Sequence, residues 1–113
     1  MTKNYTALTK DIAEYMRELS KEIPEVTQAF QGLAAASTKD GVLDKKAKEF
    51  VALGIAIATR CDGCIGFHVK ALVKYGASRA ELSEVLGMAI YMGGGPSMMY
   101  AADALRAYDE FSG

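Results

Sequence analysis

The sequence has no tryptophan, one histidine, two cysteines and two prolines in 113 residues. It also has no long apolar run. The longest, Phe50 to Thr59, is about half the roughly 20 residues a membrane-spanning helix needs. The opening MTKNYTALTK lacks the apolar core of a signal peptide. The expectation is a cytoplasmic protein with no membrane partner. Neither charge sign is in excess: thirteen Lys and Arg stand against fourteen Asp and Glu, a formal charge of −1, so the basic footprint of a nucleic-acid-binding protein is missing. The segment GGGP is no phosphate loop, having neither a Lys-Ser/Thr ending nor a strand before it. No segment alternates apolar and polar residues with period two, which removes the signal for half-buried strands.

What is present reads as one folded domain over residues 1–113. Half the residues are apolar and 24% are charged, a balance that supports a core. Ile12, Tyr15, Met16, Leu19 and Ile23 recur at helical spacing and predict a first helix over about 3–21 with one buried stripe. Pro24 opens a second helix to about 36, with Val26, Ala29, Phe30 and Leu33 on one face. Asp44 caps a third that runs to about Arg60, apolar on every side in FVALGIAIATR and therefore expected to be buried. Cys61 to Cys64 opens a fourth helix, closed by Gly76. Ser78-x-x-Glu81 is a capping box for a fifth, which Gly93-Gly94-Gly95 stops. A sixth spans about 96–111 with Met98, Ala101, Ala102, Leu105 and Tyr108 inward. The fold class is all-α, about six helices with short connections.

The chemistry concentrates in eight positions. Cys61-x-x-Cys64 sets two sulfurs one helical turn apart, within the Cα separation a disulfide allows. A helix N-terminus favours the thiolate, which is the nucleophile towards peroxides and disulfides. His68 follows Cys64 by four residues on the same face, where an imidazole can take the sulfur's proton. Asp62 works against this unless it faces solvent or caps the helix, because a neighbouring carboxylate disfavours the thiolate. If the third and fourth helices fold back antiparallel, Glu49 comes within about one turn of His68, close enough for its side chain or one water to orient the ring. Other readings of the same residues are two core cysteines placed by chance, zinc held by Cys61, Cys64 and His68 without a fourth ligand, and Glu49 as a solvated partner of Lys45, Lys46 or Lys48. Haem attachment is excluded, since Ile65 follows the second cysteine.

Glu49, eleven residues, Cys61-x-x-Cys64, three residues and His68, with the flanking RCDGCIGFHVKALVKYGAS and AIYMGGGPSMMYAADAL, resembles the AhpD-like, carboxymuconolactone decarboxylase family over more than half the chain. The resemblance implies an all-helical fold, antiparallel helices around the motif, and a homo-oligomer, trimer or hexamer. It implies alkylhydroperoxidase or thiol–disulfide activity without a cofactor or metal, on a hydroperoxide substrate with a thioredoxin-like or dihydrolipoyl dithiol donor. Carried over, Cys64 is the peroxidatic cysteine, Cys61 the resolving one, and Glu49 with His68 the proton relay. Gly63 departs from the family's peroxidases, which carry a second histidine there. Two rival readings are an acid–base decarboxylase, which needs no cysteine pair, and a non-catalytic oligomeric adaptor with a structural disulfide. An oligomer also suits the Met88, Met92, Met98 and Met99 cluster as interface filler.

Overall fold

The computed structural model describes residues 2–113 and places them in six helices: α1 (Tyr5–Glu22), α2 (Pro24–Thr38), α3 (Lys45–Ala58), α4 (Asp62–Lys74), α5 (Arg79–Gly93) and α6 (Gly95–Ser112). No strand occurs among the described residues, and no helix is long and apolar enough to cross a membrane.

Local chemistry accounts for the boundaries. The Asn4 and Asp44 side chains accept the third-turn-residue N–H groups of Ala7 and Ala47, at 2.9 and 2.8 Å, so α1 and α3 start where an orphan donor is satisfied. Pro24 occupies the first turn of α2, where its missing N–H costs nothing. Ser78 and Glu81 exchange the two hydrogen bonds of a capping box, at 3.0 and 2.9 Å.

The C-termini of α3 and α4 close in the same way. Gly76, at φ 81°, lets Ala77 N–H reach Leu72 O and its own N–H reach Val73 O, the paired bonds of a Schellman cap. At the end of α3 the equivalent bonds run from Cys61 N–H to Ala56 O and from Arg60 N–H to Ile57 O. The left-handed position there is held by Arg60, at φ 56°, the one non-glycine residue in that region among those described. This cap ends α3 at Ala58 and delivers Cys61 directly to the start of α4. The two helices consequently form an antiparallel hairpin.

α4 is the centre of the core. Ile65, Val69 and Leu72 are fully buried, with Leu53 and Ile57 of α3, Leu82 and Leu86 of α5, and Ala101, Ala104 and Ala107 of α6. Small residues on α6 let two helix backbones approach closely. α1 docks only by its first turns: Tyr5 and Thr9 are its buried residues. They sit over Gly66, where a Cβ would fall 2.5 Å from Thr9 Cγ2 and 3.2 Å from Tyr5 Cδ1.

Three expectations about burial are corrected. The apolar stripe of α1 is not covered by its own chain, and neither is that of α2: Tyr15 is 71% exposed and Phe30 67%, with Met16, Leu19, Val26 and Leu33 also open. The second half of α1 pairs with α2 as an arm beside the core, leaving an apolar groove of about 430 Å³ lined by Met16, Leu19, Ile23, Val26, Phe30 and Phe67. α3, apolar all round, buries one face only, because α4 and α5 cover one side; Val51 and Ile55 lie open on the other. On α6 Ala101 is buried and Leu105 and Tyr108 pack against the core as expected, whereas Met98 and Ala102 face outward and the remaining buried positions are Ser97, Ala104 and Ala107.

Candidate functional site

The site lies on the α3–α4 hairpin. Glu49 is in the second turn of α3 and is 6% exposed. A buried carboxylate requires a partner. Its partner is His68: Nδ1 lies 2.5 Å from Glu49 Oε2. No water is needed to close the gap that helix rise leaves between the two positions. With Glu49 as the acceptor, Nδ1 is the donor of this bond and Nε2 is the ring nitrogen that the carboxylate does not engage. About a third of the His68 side chain remains open to solvent, so the ring can exchange protons with a ligand or water.

Cys61 is the N-cap of α4, and its sulfur accepts the Cys64 N–H at 3.2 Å. The two cysteines are joined as a disulfide, with Cα atoms 5.2 Å apart. Both sulfurs therefore sit at the positive end of α4, where unpaired backbone N–H groups stabilise an anion when the pair is opened. Cys64 also packs against the core, whereas His68 lies one turn deeper on the same helix. Among the described residues, no group of three or more His, Cys, Asp and Glu side chains is placed to hold a metal ion.

Asp62, between the cysteines, is about a third open to solvent, and its carboxylate pairs with side chains rather than with the end of its own helix. Its Oδ1 accepts the Tyr5 hydroxyl at 2.8 Å and the Lys3 ammonium at 3.0 Å. Lys3 also donates to Asp103 Oδ2 at 2.7 Å and lies 4.8 Å above the Tyr100 ring. Burial, then the hydrogen bond to Asp62, pushes the Tyr5 phenol above its ordinary range. The bond to Asp103 likewise raises the Lys3 ammonium, against burial. Both remain donors wherever thiols titrate.

Gly63 is half-buried, with Ile12 close by. A Cβ there would lie 3.1 Å from Ile12 Cδ1, so a larger side chain requires Ile12 to move. Glu49, Cys61, Cys64 and His68 thus share one hairpin. Lys3 and Tyr5 reach Asp62 from 59 and 57 residues away and Asp103 meets Lys3 across 100, separations that no local sequence pattern links; the one available signal is an acidic residue in a place that disfavours a thiolate.

A family model, the carboxymuconolactone decarboxylase family, matches residues 24–107. An uncharacterized protein of Cupriavidus necator is 37% identical over 109 residues, covering 90% of this chain and 96% of that protein. Among solved structures, the apo form of a carboxymuconolactone decarboxylase family protein from Legionella pneumophila superposes with a TM-score of 0.94 at 56% identity, covering 96% of this chain and 97% of its own. A Thermotoga maritima protein described as belonging to the same family, for which a part in the antioxidative response has been suggested, gives a TM-score of 0.78 at 32% identity over 88% of each chain.

Proposed function

The chain belongs to the carboxymuconolactone decarboxylase family, and we propose that within it the protein is a thiol-dependent alkylhydroperoxidase or disulfide reductase. The observation that carries this reading is the Cys61–Cys64 pair at the N-terminus of α4, with the Glu49–His68 pair one turn further on. An acid–base decarboxylase has no use for two such sulfurs, and the antioxidative role suggested for the Thermotoga maritima relative points the same way.

In the proposed cycle a dithiol donor, thioredoxin-like or dihydrolipoyl, first reduces the disulfide: two electrons enter, the S–S bond breaks and the donor becomes a disulfide. His68 takes the Cys64 proton on Nε2 while Glu49 holds the ring and offsets the imidazolium charge. The Cys64 thiolate attacks the peroxide, forming an S–O bond and breaking O–O. The departing alkoxide takes a proton and leaves as alcohol, with Cys64 as sulfenic acid. Cys61 then attacks Cys64 Sγ, closing the disulfide and releasing water. A pair that must reopen each turnover suits a reducing compartment, the cytoplasm. The open faces of α1, α2 and α3 support a homo-oligomer, trimer or hexamer.

The test is peroxide consumption with a dihydrolipoyl or thioredoxin-like donor by the wild type, Cys61→Ser, Cys64→Ser and His68→Ala. Loss of turnover in Cys64→Ser and stalling after one turnover in Cys61→Ser support the roles given; full activity of Cys64→Ser overturns them.

A further inference from the structure

The charge placed inside the cysteine pair is managed from outside α4. Asp62 is one residue from Cys61 and two from Cys64, so none of its rotamers carries the carboxylate beyond about one Debye length, roughly 10 Å, from the sulfurs. At the first position of α4 it is favourable to the helix end but competes with a thiolate for the same positive field. We propose that Lys3 and Tyr5 are positioning residues of the redox centre: by taking Asp62 Oδ1 between them they draw its carboxylate towards α1 and α6 and offset its charge, which favours the thiolate of the opened pair.

The inference rests on the redox reading of Cys61 and Cys64 above. Its geometry is specific. Tyr5 is fully buried and Lys3 is held by Asp62, Asp103 and the face of Tyr100, so both donors have a defined place. The charged and titratable groups around Asp62 are Lys3 and Tyr5 from the α1 side and Asp103 and Tyr100 from α6; Glu110, also on α6, accepts the Tyr5 backbone N–H at 2.8 Å. Lys3 is the one cation among these groups. With it, the group formed with Asp62 and Asp103 carries a net single negative charge; without it, two. When a dithiol opens the disulfide, two electrons enter and the S–S bond breaks. Each sulfur takes a proton from solvent unless it stays a thiolate, and it is this unprotonated sulfur that the offset charge stabilises.

The measurement is the rate of iodoacetamide alkylation of the fully reduced protein against pH, for the wild type, Lys3→Met, Lys3→Arg, Tyr5→Phe, Asp62→Asn and the double variant Lys3→Met with Asp62→Asn. Lys3→Met and Tyr5→Phe are expected to slow alkylation at pH 7 by about threefold, the scale of a partly exposed ion pair, with the midpoint displaced upward. Lys3→Arg restores the wild-type midpoint, and the loss of Lys3 has a much smaller effect once Asp62 is Asn. An unchanged midpoint in Lys3→Met, or the same slowing in the Asp62→Asn background, overturns the proposal. Circular dichroism and urea midpoints identify any variant that slows for want of folding; Lys3→Met, at a partly exposed position, then decides alone. Whether the reduced wild type loses two thiols together on exposure to peroxide tests the redox reading separately, and its failure leaves the alkylation profiles interpretable.

Discussion

His68 Nδ1 and Glu49 Oε2 meet at 2.5 Å across the α3–α4 hairpin, the carboxylate buried and the ring one-third open. A buried acceptor that receives the ring N–H fixes the imidazole in one tautomer and presents its other nitrogen as a base.

Acting as one unit, the two side chains should fail together. Glu49→Gln and His68→Ala are each expected to lower peroxide turnover by about a hundredfold or more, and the double variant to be little worse than His68→Ala alone. Steady-state kinetics at saturating donor measures this; additive losses would mean that Glu49 acts on something other than the ring.

The docking of α1 onto α4 depends on Gly66. Gly66→Ala forces a methyl group into Thr9 and Tyr5, both buried, and is expected to destabilise by about 1–3 kcal/mol. Gly32→Ala, in α2 with nothing within 4 Å of the new Cβ, should instead stabilise by up to about 1 kcal/mol through helix propensity. Urea unfolding of the two variants gives the comparison.

Acid should weaken the α5 surface. The Ser78 backbone N–H and the Lys46 ammonium lower the Glu81 carboxyl from its ordinary 4.5, and the Arg79 guanidinium lowers Asp109 from 3.8. Carboxyls depressed in the folded state contribute stability above their unfolded values, and that stability is lost as pH falls through the folded ones. Unfolding midpoints should therefore begin to drop near pH 4.5, and Glu81→Gln should flatten the upper part of that decline. An identical pH profile for Glu81→Gln and wild type would remove Glu81 from the account.

The open α1–α2 arm is the expected contact between copies. Phe30→Glu places a charge in its centre and should lower the assembly state in light scattering, with helix content unchanged. A wild type that is monomeric at micromolar concentration would remove the oligomer from the proposal.

Much of this molecule was legible from residues a few positions apart. Asp44, Ser78 with Glu81, and Gly76 act within one or two turns of chain, and the helices begin and end close to where these residues place them; Asn4, which caps α1, falls inside the helix expected from about residue 3. Arg60 escaped notice because a left-handed arginine carries no signal of its own; the strain is accepted to end α3 two residues early and aim Cys61 at the head of α4. On α6 the expected Ala101, Leu105 and Tyr108 do meet the core, while Met98 and Ala102 do not.

The sequence by itself determined the all-helical class and the cysteine pair at a helix start with His68 one turn on, since each depends on short-range hydrogen bonding and the 3.6-residue period. Long-range packing places Glu49 against His68 without a bridge, sets Lys3 and Tyr5 on Asp62, and leaves the apolar faces of α1, α2 and α3 uncovered. Amphipathic spacing states that a face seeks cover. What covers it depends on crossing angles and on contacts between residues far apart in the chain, which no local pattern encodes.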